Sequence, residues 1–375
     1  MVTLGGIIGA RLTQNPALAT LPLSIMVIGV AVVAIPATVL MRKIGRRLGF
    51  AIASISAVVA VLLAAYALEV SSFPAFIGAA GLFGINMAFT QQYRYAAVES
   101  VETRFAPRAI SFVLLGAIGG AFVGENLVRY GQFFFPTVQY AGTLTAVAAL
   151  YFVQSLLFFA LGPMRGEEAD SHLRGQRPIG EIARQPVFIV AVLGGVTAYG
   201  VMTLIMTATP LSMHINDGYL LEETARVIRT HVLAMYVPSL FSGFLIERLG
   251  AVKMMSIGGL ALIVASLIGM QGHNYIHYWY ALIMLGVGWN ILYVGGTTML
   301  TLTYSINERF KAQAVNEFTV FGMSATASLL AGTVIHLYGW HTLIWIPLPL
   351  LVIIFAGLIW VRGEPLLQCP MREGA

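Results

Sequence analysis

The chain has 375 residues, 58% of them hydrophobic and 10% charged, with a formal net charge of +5 and a mean hydropathy of +0.84. A soluble domain carries about a quarter charged residues, so this composition excludes a water-facing globule. Apolar runs that do not alternate exclude a β-barrel, and a lone cysteine, Cys369, excludes an intrachain disulfide framework or a cysteine metal cluster.

About 20 apolar residues suffice to cross a bilayer as a helix. The runs predict spans over residues 17–41, 48–68, 73–97, 109–131 and 140–161, then a long polar stretch over 164–185. Further spans follow over 186–210, 228–246, 253–270, 278–301, 314–338 and 342–361. Residues 1–10 are too short to span. The fold class is an all-α polytopic membrane protein with the lipid bilayer as its main partner. No cofactor and no nucleic acid is expected.

Orientation follows from the positive charges. Loops on one side hold Arg42, Lys43, Arg46, Arg47, Arg104, Arg108, Arg165, Arg174, Arg177, Arg184, Arg248, Lys253, Arg309, Lys311, Arg362 and Arg372; the other side holds Arg11, Arg129, Arg226 and Arg229. The richer side, which includes the central loop and the C-terminus, is expected to be cytoplasmic, with the chain in a bacterial inner membrane.

Two pairs of cytoplasmic loops match at one offset. "RFAPRAIS", from Arg104, resembles "RFKAQAVN", from Arg309, 205 residues on, and Gly45 corresponds to Gly250 at the same offset. Parallel six-helix repeats joined by a polar loop are a transporter architecture. The expected division is an N-terminal bundle over 1–163, a linker over 164–185 and a C-terminal bundle over 186–375. At this offset Met1 aligns with Met206, inside the 186–210 span. Either the sequence starts within a longer protein or most of the first helix is missing. The backbone groups that a helix stub would expose to lipid favour the former.

These loops are similar to the signature of the major facilitator superfamily, Gly-x-x-x-Asp-Arg-x-Gly-Arg-Arg/Lys between the second and third helices. "GFLIERLG", from Gly243 to Gly250, places Glu247 and Arg248 in the acid and base positions. "TVLMRKIGRR" keeps Lys43, Gly45, Arg46 and Arg47 but has Thr38 for the first glycine and Arg42 for the acid. Gly116, Gly120 and Gly124 fit the family's antiporter motif, but Glu125 stands where proline is usual, so antiport is not supported. The resemblance implies two six-helix halves rocking about a midplane site. It implies a secondary transporter, acting as a monomer on a small organic solute; the acids and the histidine at or in the spans point to protons as the driving ion. The rival expectation is a transport-incompetent sensor or interaction protein of the same fold.

Within that frame the loop charges are expected to act as latches: Arg46 and Arg47 with Glu99 or Glu102, and Arg248 and Lys253 with Glu308. Asn86 and Asn290, near mid-span and one residue off the 205 offset, are substrate-contact candidates, with Trp289 supplying a stacking face. Gln91 and Arg94 join them if Arg94 faces a cavity; the alternative is that Arg94 snorkels to the interface. Tyr199 and Thr203, with Thr207, recur at helical spacing and line a cavity or pack their helix. Glu125, with Arg129 one turn on, His231 and Glu317 are coupling candidates, because an acid or histidine within a span is a functional candidate by default; the alternatives are a self-neutralising pair for Glu125 and Arg129, a hydrated helix end for His231 and a latch partner for Glu317. No phosphate loop, zinc-protease motif or nucleophile elbow appears, so neither ATP-driven transport nor enzymatic activity is expected.

Overall fold

The structure is a computed structural model that describes residues 8–9, 12–13, 18, 21–131, 141–160 and 177–368. Among these every regular element is helical. In chain order they are α1 (Leu21–Ile44), α2 (Arg46–Glu69), α3 (Phe73–Thr90), α4 (Tyr93–Glu99), α5 (Ala106–Gly131), α6 (Ala141–Ala160) and the short α7 (Ile179–Ala183). They continue with α8 (Pro186–Pro210), α9 (Leu221–Tyr236), α10 (Ser239–Leu249), α11 (Ala251–Met270), α12 (Tyr275–Thr301), α13 (Arg309–Trp345), α14 (Pro347–Trp360) and α15 (Pro365–Gln368). Nine helical stretches among the described residues are long and apolar enough to cross a membrane.

Predicted spans are broken at two places, and α13 kinks in the gap between the predicted spans over 314–338 and 342–361. The run over 73–97 divides at Gln91 and Gln92 into α3 and α4, and the run over 228–246 divides at Val237 and Pro238 into α9 and α10. In α13 the helix kinks at Gly339, whose φ of 75° leaves the helical region. Proline lacks the N–H that continues a helix, and glycine tolerates positive φ; hydropathy registers neither.

Gly45 and Gly250 each join two helices with nothing else between them. Gly45 has φ 83° and ψ 159°, and Gly250 has φ 85° and ψ 151°. This backbone is open in practice to glycine alone. It recurs 205 residues apart, at the two positions that the loop motifs pair.

The described residues fall into two compact units. The first comprises Met1–Ala96, Gly119–His172 and Gln313–Gly322. Its core is lined by small residues: Ala57, Ala60, Ala64 and Ala67 of α2 meet Ala79, Ala80 and Phe83 of α3 and Leu144 and Ala148 of α6. In lipid, helices associate through close packing, and small side chains allow it. The tightest approach is α1 on α3, where a Cβ at Gly84 would lie 2.4 Å from the Met26 carbonyl oxygen.

The second unit comprises Ala97–Ile118, Leu173–Ala312 and Met323–Ala375. It is built around α12, whose residues from Gly288 to Leu300 are all buried. Helices α8, α9 and α11 pack on α12. Its glycines admit these neighbours: a Cβ at Gly286 would lie 2.8 Å from the His231 carbonyl oxygen, and one at Gly288 would lie 2.8 Å from that of Gly258.

Gly84→Val is expected to lower stability by about 1–3 kcal/mol through overpacking. Gly78→Val on the same helix, where an added Cβ meets nothing within 4 Å, should leave it unchanged. Thermal unfolding of the purified variants checks the contrast.

Candidate functional site

In the first unit a buried polar network forms where α3 gives way to α4. Arg94 is 3% exposed and Glu317 1%. The Arg94 guanidinium pairs with Glu317 Oε1 and donates to the Tyr95 hydroxyl at 3.0 Å and to Gln91 Oε1 at 3.4 Å. Tyr95 in turn donates to Glu317 Oε1 at 2.9 Å, and Asn316 Nδ2 donates to both, at 3.0 and 2.9 Å. Arg94 therefore turns inward and does not snorkel. Three donors converge on one carboxylate oxygen, while Glu317 Oε2 is buried without a hydrogen-bond partner among the described residues. An ion pair this deep is strongly destabilising when one partner is removed, by about 3–5 kcal/mol.

Arg46, also buried, lies beside this network. It donates to Gln313 Oε1 at 2.9 Å and to Gln92 Oε1 at 3.4 Å. Arg46 opens α2 directly after Gly45 and is aimed inward at two amides. Arg47 is half-buried. Glu99 faces Arg309 at 3.6 Å in the second unit, and Glu102 pairs with Arg104 at the surface at 2.9 Å.

Asn86 is buried and donates to the Ala53 carbonyl at 2.9 Å, bonding α3 to α2. Asn290 donates to the Met235 carbonyl at 2.8 Å and to Ser239 Oγ at 2.6 Å, at the break between α9 and α10. One residue is about 100° of helix rotation, and the two amides go to different neighbours. Asn290 Oδ1 is buried with no partner among the described residues.

In the second unit four aromatic rings meet near the middle of the spans over Pro186–His214, Glu222–Leu249 and Tyr275–Thr301. Trp289 stacks on Tyr293 with centroids 5.0 Å apart and planes at 22°. Tyr199 of α8 meets Trp289 edge-on at 5.4 Å and Tyr293 at 5.2 Å, and Tyr236 of α9 meets Trp289 at 5.8 Å. Trp289 is 1% exposed and its Nε1 has no hydrogen-bond partner among the described residues; Tyr199 and Tyr236 are only half-buried. One turn beyond Tyr199, Thr203 is hydrogen-bonded to Ser324 at 2.8 Å. Tyr236 and Tyr293 were not singled out from the sequence, although Tyr293 lies one helical turn from Trp289.

Of the coupling candidates, His231 is fully buried between α9 and α12, not at a hydrated helix end. Its Nδ1 lies 2.7 Å from the Leu282 carbonyl, which only accepts, so Nδ1 carries the proton. The Glu125 and Arg129 side chains lie outside the described residues.

The second loop motif packs on the first turns of α5. Glu247 pairs with Arg108 at 2.6 Å, and Ser242 is 3.3 Å from Ser111. A Cβ at Gly243 would lie 2.7 Å from the Pro107 carbonyl oxygen and 2.9 Å from Arg108 Cα, so this position must be glycine. Thr38, at the matching place in the first motif, is instead buried with its hydroxyl on the Ile35 carbonyl at 2.8 Å. Arg248 is exposed.

Glu308 does not take Arg248 or Lys253. Arg177, at the end of the linker, binds it through Nε at 2.9 Å, through a terminal nitrogen at 2.7 Å and through its backbone N–H at 2.9 Å. The Arg177 guanidinium holds the Glu308 carboxyl well below the usual carboxylate range. A carboxyl lowered in the folded state stabilises above its unfolded value, about 4.3, and loses that contribution as pH falls through the folded value. The stability difference between the parent chain and Glu308→Gln is therefore expected to stay level from about pH 8 to about pH 5 and to shrink only in stronger acid. Thermal unfolding across that range measures it.

Comparison with known proteins agrees with this architecture. The profile of the Major Facilitator Superfamily matches residues 227–370. A riboflavin transporter of Brucella anthropi is 36% identical over 366 residues, covering 97% of this chain and 92% of its own. Among solved structures, the proton:xylose symporter XylE matches with a TM-score of 0.78 at 12% identity, covering 97% of this chain and 90% of that one. The transporter FucP, in its outward conformation, matches with a TM-score of 0.72 at 17% identity, covering 96% and 94%. The chain belongs to the major facilitator superfamily and is a multi-pass membrane transporter of that family.

Proposed function

We propose that this transporter moves a planar heteroaromatic solute of the riboflavin type across the bacterial inner membrane, as a monomer, by alternating access. The observation that carries this reading is the mid-span aromatic wall. Trp289 and Tyr293 present stacked rings, Tyr199 and Tyr236 remain partly accessible beside them, and the Trp289 indole N–H has no hydrogen-bond partner among the described residues. A buried donor left unpaired costs about 1–3 kcal/mol, which a ring carbonyl of a bound solute would recover. The riboflavin transporter of Brucella anthropi supports the substrate class.

Proton coupling is assigned to Glu317. Its Oε1 is held by Arg94, Tyr95 and Asn316, while its Oε2 is buried and unpartnered. A proton added at Oε2 disturbs no existing hydrogen bond and removes the charge that holds Arg94. The network around Arg46, Arg94 and Glu317, together with the pairs Glu99–Arg309, Glu247–Arg108 and Glu308–Arg177, forms the gating set on the linker side, taken as cytoplasmic. Gln91 and Arg94 belong to this set and not to the substrate wall. The two bundles divided at the 164–185 linker are the bodies that rock.

Uptake of labelled riboflavin into proteoliposomes under an imposed proton gradient tests the reading. The parent chain should accumulate it. Trp289→Ala should lower apparent affinity roughly tenfold or more, from loss of about 1.5–3 kcal/mol of ring burial and stacking. No uptake by the parent chain, or unchanged affinity in Trp289→Ala, would contradict the substrate reading. Glu317→Gln should abolish gradient-driven accumulation while retaining exchange of solute for solute. Accumulation at the parent level in this variant would overturn the coupling assignment.

A further inference from the structure

The span over Glu222–Leu249 is interrupted at its middle, and Asn290 supplies the bond that the interruption frees. Pro238 has no N–H to give to the Ala234 carbonyl, and Leu240 N–H turns back three residues to Val237 O at 3.0 Å. The Met235 carbonyl at this break accepts from Asn290 Nδ2 at 2.8 Å, and the same amide reaches Ser239 Oγ, the first residue of α10, at 2.6 Å. One side chain thus holds both lips of the break. Val237 and Pro238 keep right-handed helical backbone, with φ/ψ of −58°/−39° and −59°/−20°. A small change there re-aims everything beyond it.

Beyond it lies α10, which rests on the first turns of α5 through small groups near its middle, the Phe244 ring and one ion pair near its end. Ser242 meets Ser111, Gly243 lies flush against Pro107 and Arg108, and Glu247 pairs with Arg108. Ser242 is 2% exposed. Beside these small groups Phe244 meets Phe112 edge-on at 6.4 Å and lies 4.5 Å beneath the Arg108 guanidinium, so separation gives up one ring contact and one ion pair. Asn290 itself follows Trp289 directly, so the residue that pins the hinge neighbours the ring of the aromatic wall.

We propose that α10 is a hinged arm that opens and closes on α5 about Pro238, with Asn290 as the positioning residue that pins the hinge through Met235 and Ser239. The arm's motion is a property of the chain whatever solute it carries, so the inference stands apart from the substrate reading.

The test is thiol accessibility in a background with Cys369→Ser. Ser242→Cys places a near-isosteric thiol in the contact, where a maleimide reaches it only when α10 leaves α5. Leu249→Cys, at an exposed site on the same arm, serves as the control. In the Ser242→Cys protein, Asn290→Leu should raise the labelling rate roughly tenfold, and Pro238→Ala, which restores a helical N–H, should lower it roughly tenfold. The double variant Asn290→Leu with Pro238→Ala should label at the slow rate, because the continuous helix no longer needs the pin. Labelling at Leu249→Cys should be equal in all backgrounds. If Asn290→Leu is not monodisperse, Pro238→Ala and the double variant decide the matter. Ser242→Cys rates unchanged within about twofold in every background would overturn the hinge. A double variant that labels as fast as Asn290→Leu would overturn the role of Asn290 as a pin.

Discussion

A bilayer offers no hydrogen bonds, so each polar group that this chain carries into its spans must be answered from within the chain. The pair formed by Arg94 and Glu317 is where that constraint is most severe. Two full charges sit 3% and 1% exposed, and they persist because Tyr95 and Asn316 complete the solvation that water would otherwise give. The interruption of the helix at Gln91 and Gln92 serves the same end, since it brings Gln91 to Arg94 and Gln92 to Arg46. On α13, Arg309, Gln313 and Glu317 follow at intervals of one turn, and each holds a partner from the first hundred residues: Glu99, Arg46 and Arg94.

The polar groups sort into two kinds. Glu308 and Arg46 have their polar atoms engaged: Glu308 accepts from Arg177 and from the Ser305 N–H, and Arg46 donates to Gln313. Among the described residues Glu317 Oε2, Trp289 Nε1 and Asn290 Oδ1 are buried without a hydrogen-bond partner. Unsatisfied groups destabilise a resting fold, and these are the atoms on which the proposed proton, solute and hinge roles rest. The two kinds share neighbours: Glu317 carries one of each, and Trp289 adjoins Asn290.

Much of the fold was legible in the sequence. Spans of about 20 apolar residues carry a strong signal, and the loop glycines Gly45 and Gly250 gave themselves away by their common offset before their shared backbone conformation was seen. The helix breaks were not legible, because "QQ" and "VP" hardly change a hydropathy average. Charge partners were harder still. Arg177 looked like one more positive loop residue, yet it is the clamp on Glu308, 131 residues away. Tyr95 passed as an apolar neighbour of Arg94, although its hydroxyl stands at the centre of the network. His231 sits in a polar stretch, and only the packing of α9 on α12 buries it. Pairing in three dimensions decides these cases, and a single sequence does not encode it locally.

The central claim, that the aromatic wall binds a planar solute, is tested most directly by flavin fluorescence on titration with the purified protein. Stacking against Trp289 and Tyr293 should quench the flavin saturably, and Trp289→Leu should abolish the quench while the protein remains folded. A parent chain that leaves the fluorescence unchanged, or a Trp289→Leu variant that quenches as strongly as the parent, would contradict the account.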